Sequence, residues 1–416
     1  MKPDWNVESE VALSRLPEEG AVVERPPTRE ARSPGEWLRE NLFSTPFNGV
    51  LTVLVALLTG YLLFRVLRWG IVTAEWEVVR RNFRLFMVGR FPLEQVWRIW
   101  VSLYVVALLA GLSWASIGRR LRWDGLRRWR RAVISVLVVG LYFYLVDSPL
   151  VWALTAGAIA ALLIGVFSGR AVPRRALRRI VRVGWLVAFA FVILILQVAG
   201  GVSPLRWGGL LLNILVAVVG IVLSFPIGIL LALGRRSSFP AMRLVSVGFI
   251  EVIRGAPLFA WLIFGQFLLP FLLPPGLRLP EIVRAMIMFT IFSAAYVAEI
   301  VRGGLQGVHF GQYEAGRALG LSTTKLTALI VLPQALRNTI PAMISHFISL
   351  FKDTSLLAVI AFVEVLRVAR VASSAAQFVG TSKQTLLFAA LIFWIVAFSM
   401  SRWSQRLEQR LGVGER

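Results

Sequence analysis

Long apolar segments recur along almost the whole chain, and they limit its possible folds more than any other feature. Each has about 20 residues, which as an α-helix is enough to cross the hydrocarbon core of a bilayer. Hydrophobic residues make up 57% of the 416 positions and charged residues only 16%, a balance that water-soluble proteins of this length do not show. The sequence therefore predicts an all-α membrane protein that crosses the bilayer many times.

About ten transmembrane helices are predicted. Their bounds are Asn48–Leu67, Trp97–Ile117, Ala132–Val146, Pro149–Phe167, Gly184–Gly200, Gly208–Leu233, Leu244–Leu273, Pro280–Val301, Asn338–Phe362 and Thr385–Trp403. Residues 1–47 are polar and contain several prolines, which indicates a flexible tail rather than a signal peptide. An even number of spans places both termini on the same side of the membrane.

The basic residues that give the chain its net charge of +23 are distributed unevenly between the two sides of the predicted membrane spans. Thirty of the 45 basic residues fall in the tails and in the loops on one side of the spans, and ten in the loops on the other side. Because basic loops resist translocation, this asymmetry predicts that both termini are cytoplasmic. The excess of arginine also favours contact with anionic membrane lipid, and it gives no support to nucleic-acid binding.

One arginine-rich external segment, residues 74–96, fits this rule poorly. Trp76, Val79, Phe83 and Phe86 share one face of a helix there, and charged residues lie on the opposite face. We therefore expect an amphipathic helix that lies in the outer interface of the membrane.

The composition changes near residue 200. The spans within residues 48–200 have almost no polar side chains, whereas residues 208–411 contain more glycine, proline, serine, threonine and charge within the spans. Packing against lipid needs only apolar surface, but a transport pathway needs polar groups and irregular backbone. We predict a scaffold of about five spans in the first region and the functional domain in the second.

The residue inventory excludes several kinds of chemistry. The chain has no cysteine, and its two histidines, His309 and His346, are far apart in sequence, so neither a thiolate nor a histidine metal cluster is expected. No pair of carboxylates marks a polar catalytic cleft, and no glycine-rich phosphate loop occurs. We expect no catalytic residue, no metal and no cofactor on this chain.

The loop at residues 312–336, after the eighth predicted span, carries the most informative motif. Its characteristic positions are Glu314, Ala315, Gly316, Arg317, Ala318, Gly320, Leu332 and Pro333. The pattern resembles the EAA loop of ATP-binding-cassette (ABC) importer permeases, with glycine in place of the second alanine. That resemblance implies a coupling helix that docks onto a separate ATPase subunit.

The residues themselves predict two short helices with a bend between them. Gly320 would end the first helix in the left-handed conformation, and Ser322 would cap the second. Glu314 would lie near the start of the first helix, where its charge suits the helix dipole. Three small side chains would let this helix lie close in a groove of another protein: Ala315, Gly316 and Ala318.

The sequences on either side of the loop indicate which subfamilies of ABC importer permeases this chain resembles. The segments 254–257, 295–304 and 350–356 are similar to the polar amino acid uptake permeases, and 41–46 and 89–92 to the long general L-amino acid permeases. The resemblance implies a MetI-like permease core of five C-terminal spans in a bacterial inner membrane. It also implies alternating access, a second permease subunit, ATPase subunits that hold ATP and magnesium, and an amino-acid-binding protein that delivers a polar L-amino acid.

Polar residues within the spans are the candidates for the substrate pathway. They are Asn213, Arg254, Ser293, Tyr296, Glu299, Lys352, Asp353, Thr354 and Ser355. Charges within a bilayer are costly unless they are paired or hydrated, so each requires a partner.

Each candidate has a structural alternative. Arg254, in a Gly–Ala–Pro helix break, either meets a substrate carboxylate or extends to the cytoplasmic interface. Glu299 either attracts the substrate's ammonium group or pairs with Arg302 one turn away. Lys352 and Asp353 either polarise the pathway or form an ion pair that locks the ninth span against a neighbour.

The uncharged candidates have similar alternatives. Ser293 and Tyr296 would line the cavity on the same face as Glu299. Thr354 would contact substrate, whereas a single amide such as Asn213 more often joins helices, and interhelical bonding is also favoured for His346. A second functional hypothesis is a secondary transporter driven by an ion or proton gradient, which would use intramembrane carboxylates and would need no coupling loop.

Overall fold

The computed structural model describes residues 33–116, 138–197 and 200–411. Within these ranges every regular element is a helix, which confirms the all-α fold. The chain divides into two compact units, one that ends at Ala74 and one that begins at Glu75.

The first unit contains a short helix and a long apolar one. Helix α1 is Pro34–Leu42, and Ser33 and Glu36 form a capping box at its start, in which each side chain accepts the other's backbone N–H. Helix α2 is Pro46–Arg68, followed by a π-helical turn to Thr73, and none of its residues is buried. An apolar helix with no buried residue is suited to face lipid.

The second unit is formed by long helices joined by shorter ones. In chain order they are α3 (Glu77–Val88), α4 (Trp97–Ser116), α5 (Pro149–Ala171), α6 (Arg174–Gln197), α7 (Gly209–Arg235), α8 (Pro240–Arg254), α9 (Leu258–Leu272), α10 (Glu281–Gln306), α11 (Phe310–Ala318), α12 (Thr323–Leu326), α13 (Leu332–Asp353), α14 (Val365–Ser374) and α15 (Ser382–Leu411). Residues 138–145 are also helical.

The described residues contain seven helices that are long and apolar enough to cross a membrane, or eight crossings if α8 and α9 form one bent span. Two of the ten predicted spans are not among them. Residues 132–137, the first part of one, lie outside the described residues. The other, residues 338–362, corresponds to α13 and the 3₁₀ turn Thr354–Ala358, and the polar side chains of α13 make it less apolar than the other spans.

The predicted amphipathic helix is present as α3, but the expectation that its apolar face lies in the membrane interface is wrong. Val79 and Phe86 on that face are fully buried. Phe86 packs with Val365 and Val368 of α14, and its ring meets that of Phe388 in α15 edge to face at 5.0 Å. The helical pattern identified the apolar face correctly, but it contained no information on whether lipid or protein covers that face.

Glycines allow the end of α3 to lie directly on the start of α7. Gly89 has φ 61°, and a Cβ added there would lie 2.4 Å from the Cα of Gly208. Gly209 has φ 56°, and a Cβ there would lie 2.4 Å from the carbonyl oxygen of Phe86, while its N–H donates to the carbonyl of Val363 at 2.8 Å. The contact between these backbones therefore depends on the absence of side chains.

Helices α4, α5 and α6 pack together. A Cβ added at Gly111 of α4 would lie 2.1 Å from the carbonyl oxygen of Leu162 in α5, so the two helices cross with their backbones in close contact. The indole N–H of Trp185 in α6 donates to Ser113 Oγ of α4 at 2.9 Å.

The second unit has two ends, the α3 end, where α3 lies, and the loop end, where the motif loop at residues 312–336 lies. Helix α7 begins beside α3 and α14, at the α3 end, and it finishes at the loop end beside α11, where Arg236 donates to the hydroxyl of Tyr313 at 3.3 Å. Helix α6 runs in the opposite direction, because Leu196 near its C-terminus packs with Phe91 and Trp207 at the α3 end. The first turns of α6 therefore lie towards the loop end.

Candidate functional site

The motif loop connects α10 to α13 at the loop end. His309 caps α11, because its Nδ1 accepts the N–H two residues further on at 3.2 Å. Gly320, with φ 71°, has the predicted left-handed conformation after α11, and Ser322 caps α12 as predicted, accepting the N–H of Lys325 at 3.4 Å. Helix α12 continues through a π-helical turn, Thr327–Val331, directly into α13. The second helix of the loop is thus the beginning of α13.

Two details of α11 differ from the prediction. Gly316 is buried, and a Cβ there would lie 2.3 Å from Cδ1 of Leu326, so this glycine packs on α12 rather than facing outwards. Glu314 is exposed but lies beyond the first turn of α11, so it does not have the favourable dipole position expected for it. Ala315 and Ala318 are exposed, as docking in another protein's groove requires.

We expect Gly316→Ala to destabilise the loop by about 1–3 kcal/mol, because Leu326 is buried and has to move away from the new methyl group. Adding Leu326→Val should restore most of the loss, since valine has no Cδ atom. Thermal unfolding of both variants in detergent, with the exposed change Ala315→Ser as control, measures the effect. A double variant less stable than Gly316→Ala would show that the collision is not its cause.

The outer surface of the loop exposes large apolar side chains. Phe310, Leu319 and Leu329 are exposed to 66%, 78% and 68%. Glu314 and Arg317 are exposed beside them on α11. Large apolar residues among charged ones are typical of surfaces that bind another protein. These three residues were not among the predicted site residues, although an apolar residue next to the loop glycine, Leu319, was an available signal.

The inner surface of the loop is attached to three long helices. The hydroxyl of Tyr313 donates to the carbonyl of Leu305 in α10 at 3.4 Å and accepts from Arg236, just after α7. Gln334 of α13 donates to the side-chain oxygen of Gln312 at 3.2 Å. A movement of α11 would therefore act on the ends of α7, α10 and α13 together.

Next to this attachment, Glu299 of α10 is surrounded by three arginines. Its Oε1 lies 2.8 Å from Nη1 of Arg235, and its Oε2 lies 2.7 Å from Nη2 of Arg302 and 3.5 Å from Nη1 of Arg254. Arg235 also contacts Glu251 of α8 at 3.0 Å. The predicted pair between Glu299 and Arg302 is present, but as part of a larger cluster that joins α7, α8 and α10. Arg235 was not among the predicted site residues.

The predicted helix break is present between α8 and α9, which meet at an angle of 101°. Arg254 is the last residue of α8, and Pro257 immediately precedes α9. The Arg254 guanidinium contacts Glu299 and lies 5.5 Å from the ring centre of Tyr296. The carboxylate that Arg254 meets in this structure belongs to the protein itself.

Ser293 and Tyr296 lie on the same side of α10 as Glu299 and contact α13. The hydroxyl of Ser293 donates to Ser224 Oγ of α7 at 2.9 Å and lies 3.0 Å from Nε2 of His346. The ring of Tyr296 stacks on that of His346, with centres 5.5 Å apart. The interhelical contact expected for His346 is thus present, and a continuous row of polar side chains runs from Arg254 to Ser224.

Asn213 and Thr354 meet at the α3 end instead. The Asn213 amide donates to Thr354 Oγ1 at 2.9 Å and to Glu364 at 3.3 Å, and its oxygen accepts the N–H of Val365. All three side chains are buried, and burial raises the pKa of the Glu364 carboxyl. Asn213 therefore joins helices, and Thr354 is part of the same junction. Glu364 was not among the predicted site residues, although its position just before α14 is typical of a helix cap.

The remaining candidates for the substrate pathway lie near the end of α13 and are not fully buried. Lys352 is exposed, and Asp353 and Ser355 are partly buried. Within the described ranges, neither Lys352 nor Asp353 forms an ion pair shorter than 4.0 Å, so the predicted pair that would lock α13 is not present. The two charges are adjacent at the end of a helix, where their side chains diverge.

Residues 224–413 match the family of binding-protein-dependent transport system inner membrane components. One relative is the glutamate/glutamine/aspartate/asparagine transport system permease BztC of Rhodobacter capsulatus. It is 35% identical to this chain, and the match covers 90% of this chain and 93% of BztC. The inner membrane amino-acid ABC transporter permease YhdY of Escherichia coli is 34% identical over 94% of this chain and 96% of its own. A crystal structure of an amino acid ABC transporter with histidines is 30% identical over 49% of this chain and 92% of that one, with a TM-score of 0.44.

Proposed function

Since the chain belongs to the amino-acid permeases of ABC transport systems, we propose that the loop end is the surface on which an ATPase subunit docks and drives import. The chain is a multi-pass inner-membrane subunit of an amino-acid importer. Neither the relatives nor the described residues support a transporter driven by an ion gradient.

The observation that carries this proposal is the two-sided construction of α11. Its outer side presents Phe310, Glu314 and Leu319 to a partner, and its inner side is bonded to the ends of α7, α10 and α13. Such a helix can receive a displacement on one side and pass it to membrane helices on the other. ATP and magnesium would be held by the docked ATPase.

The contacts provide a continuous route from the docked surface into the membrane. Tyr313 of α11 contacts Arg236, and the adjacent Arg235 pairs with Glu299. Glu299 in turn contacts Arg254 at the break between α8 and α9. We propose that closure of the ATPase pair shifts this cluster and thereby changes the angle at the break, which alternates access to the pathway.

The rest of the assembly follows from the family. One permease domain supplies half of a pathway, so a second permease subunit, identical or homologous, would complete it. The relative BztC is named for glutamate, glutamine, aspartate and asparagine, and we propose that this chain also carries polar L-amino acids, delivered by a binding protein. The loop end and both termini would then lie in the cytoplasm.

We expect Glu314→Lys to weaken association with the ATPase subunit at least about tenfold, because charge reversal in the centre of a docking surface replaces attraction with repulsion. Co-purification and affinity measurement with an ATPase subunit of an amino-acid ABC importer, co-expressed with this chain, test this. Glu94→Lys, exposed before α4 at the opposite end, is the matched control. Wild-type affinity in Glu314→Lys would contradict the proposed docking surface.

A further inference from the structure

The beginning of α6 has a strongly basic side that no part of the proposed transport mechanism uses. Its five arginines are all exposed and, at 100° per residue, fall within an arc of about 140°. This arginine face consists of Arg174, Arg175, Arg178, Arg179 and Arg182.

The described residues offer these arginines little compensation. The sequence has no acidic residue anywhere from Ser148 to Ile250. In the described part of the chain none of the five forms an ion pair, and the one hydrogen bond found for their side chains runs from Arg182 Nε to the carbonyl of Arg178 at 3.3 Å. Five adjacent guanidinium groups repel one another and are stabilised by external anions.

The same side of α6 continues as a surface for lipid. One turn beyond the arginines, Leu186 lies within the same arc and is exposed to 68%, and Val183, about 40° beyond the edge of the arc, is also exposed. The opposite side contains Leu177 and Ala188, which are buried against the bundle. The arginine face therefore points out of the bundle, and the side chains next to it along α6 require hydrocarbon. This places the arginines at the depth of the lipid headgroups.

The arginine face also lies in a definite leaflet. Helix α6 has 24 residues, a length of about 36 Å. Its other terminus is packed at the α3 end through Leu196. The arginines are thus at the loop end, in the leaflet next to the docking surface for the ATPase.

We propose that the arginine face binds the phosphates of anionic phospholipids in the leaflet at the loop end. Guanidinium groups bind phosphate oxygens with two parallel hydrogen bonds, and they retain their charge at any physiological pH. A lipid with net negative charge compensates them, whereas a zwitterionic headgroup brings its own cation. The arginine face is continuous with the exposed apolar side chains of α6. A phospholipid can contact both surfaces at once, whereas a protein partner on the arginines would separate the apolar side chains from lipid, so we favour lipid.

The test is native mass spectrometry of the full-length chain in detergent with equal amounts of phosphatidylglycerol and phosphatidylcholine. We expect the wild type to retain phosphatidylglycerol preferentially. Each arginine near an anionic surface contributes about 1 kcal/mol, or about fivefold in affinity. The preference should fall at least about tenfold in a variant with four arginines replaced: Arg175→Gln, Arg178→Gln, Arg179→Gln and Arg182→Gln.

The matched control removes the same charge from exposed positions at the α3 end. It combines Arg90→Gln, Arg206→Gln, Arg278→Gln and Lys383→Gln, and it should keep the wild-type preference. An unchanged preference in the α6 variant, or an equal loss in the control, overturns the proposal. Lost ATPase binding with intact lipid preference would assign the face to the protein partner instead.

A second measurement does not depend on the variants folding. Raising the ionic strength from about 0.05 to about 0.5 M shortens the Debye length roughly threefold and should therefore reduce the wild-type preference for phosphatidylglycerol several-fold. A preference that is insensitive to salt would mean that acyl chains, not phosphates, determine binding, and would also overturn the proposal.

Discussion

Replacing Glu299 with glutamine is expected to destabilise the permease strongly and to abolish most transport. The carboxylate is 14% exposed and is shared by Arg235, Arg254 and Arg302. Without it, three guanidinium groups remain close together at the junction of α7, α8 and α10. Removal of one partner from a buried ion pair typically costs about 3–5 kcal/mol, and because these arginines are partly exposed we expect about 3 kcal/mol. Thermal unfolding in detergent and uptake in proteoliposomes measure the two effects.

Glu251→Gln is the matched control, because this carboxylate is 54% exposed and contacts Arg235 alone among the three arginines. It should cost less than about 1 kcal/mol, as an exposed pair does. The alternative function of Glu299, binding the ammonium group of the substrate, predicts a different result. Glu299→Gln would then keep its unfolding temperature while the KM for uptake increased, and that outcome would exclude a structural role for the cluster.

Features that depend on local backbone chemistry could be predicted from the sequence. The break between α8 and α9 follows from Gly255 and Pro257, because proline lacks the N–H that a helix requires. The bend after α11 follows from Gly320, which accepts the left-handed conformation, and Ser322 then caps the next helix. The number of spans was less certain, because α13 combines an apolar face with many polar side chains.

Features that depend on contacts between distant segments could not be predicted. Arg235 lies 64 residues before Glu299, and Glu364 lies 151 residues after its partner Asn213. Hydrophobic periodicity shows which face of a helix is apolar, but it does not specify which helix packs there. The same limit explains Gly316. Its small size predicted a close fit to a partner protein, whereas in the structure it accommodates Leu326 of this chain.

The second large effect concerns α3, which lies in the region predicted to be only a scaffold. We expect Phe86→Ala to cost about 3–5 kcal/mol, the usual range for removing a buried phenylalanine. Phe86 is fully buried, packs on Val368 of α14 and meets Phe388 of α15 at 5.0 Å. The loss would leave a cavity between α3 and two C-terminal helices. It would therefore destabilise the permease domain itself, measured as a lower unfolding temperature and reduced transport.

Two phenylalanines in other environments calibrate this experiment. Phe47→Ala in α2, where the ring is 74% exposed, should change stability little, and Phe289→Ala in α10, where the ring is fully buried, should cost as much as Phe86→Ala. If Phe86→Ala behaves like the α2 variant, α3 is only loosely attached and the N-terminal region is a separate scaffold. If it behaves like the α10 variant, the N-terminal region contributes part of the permease core, because a helix that is not integral to a domain cannot fill a site in its interior.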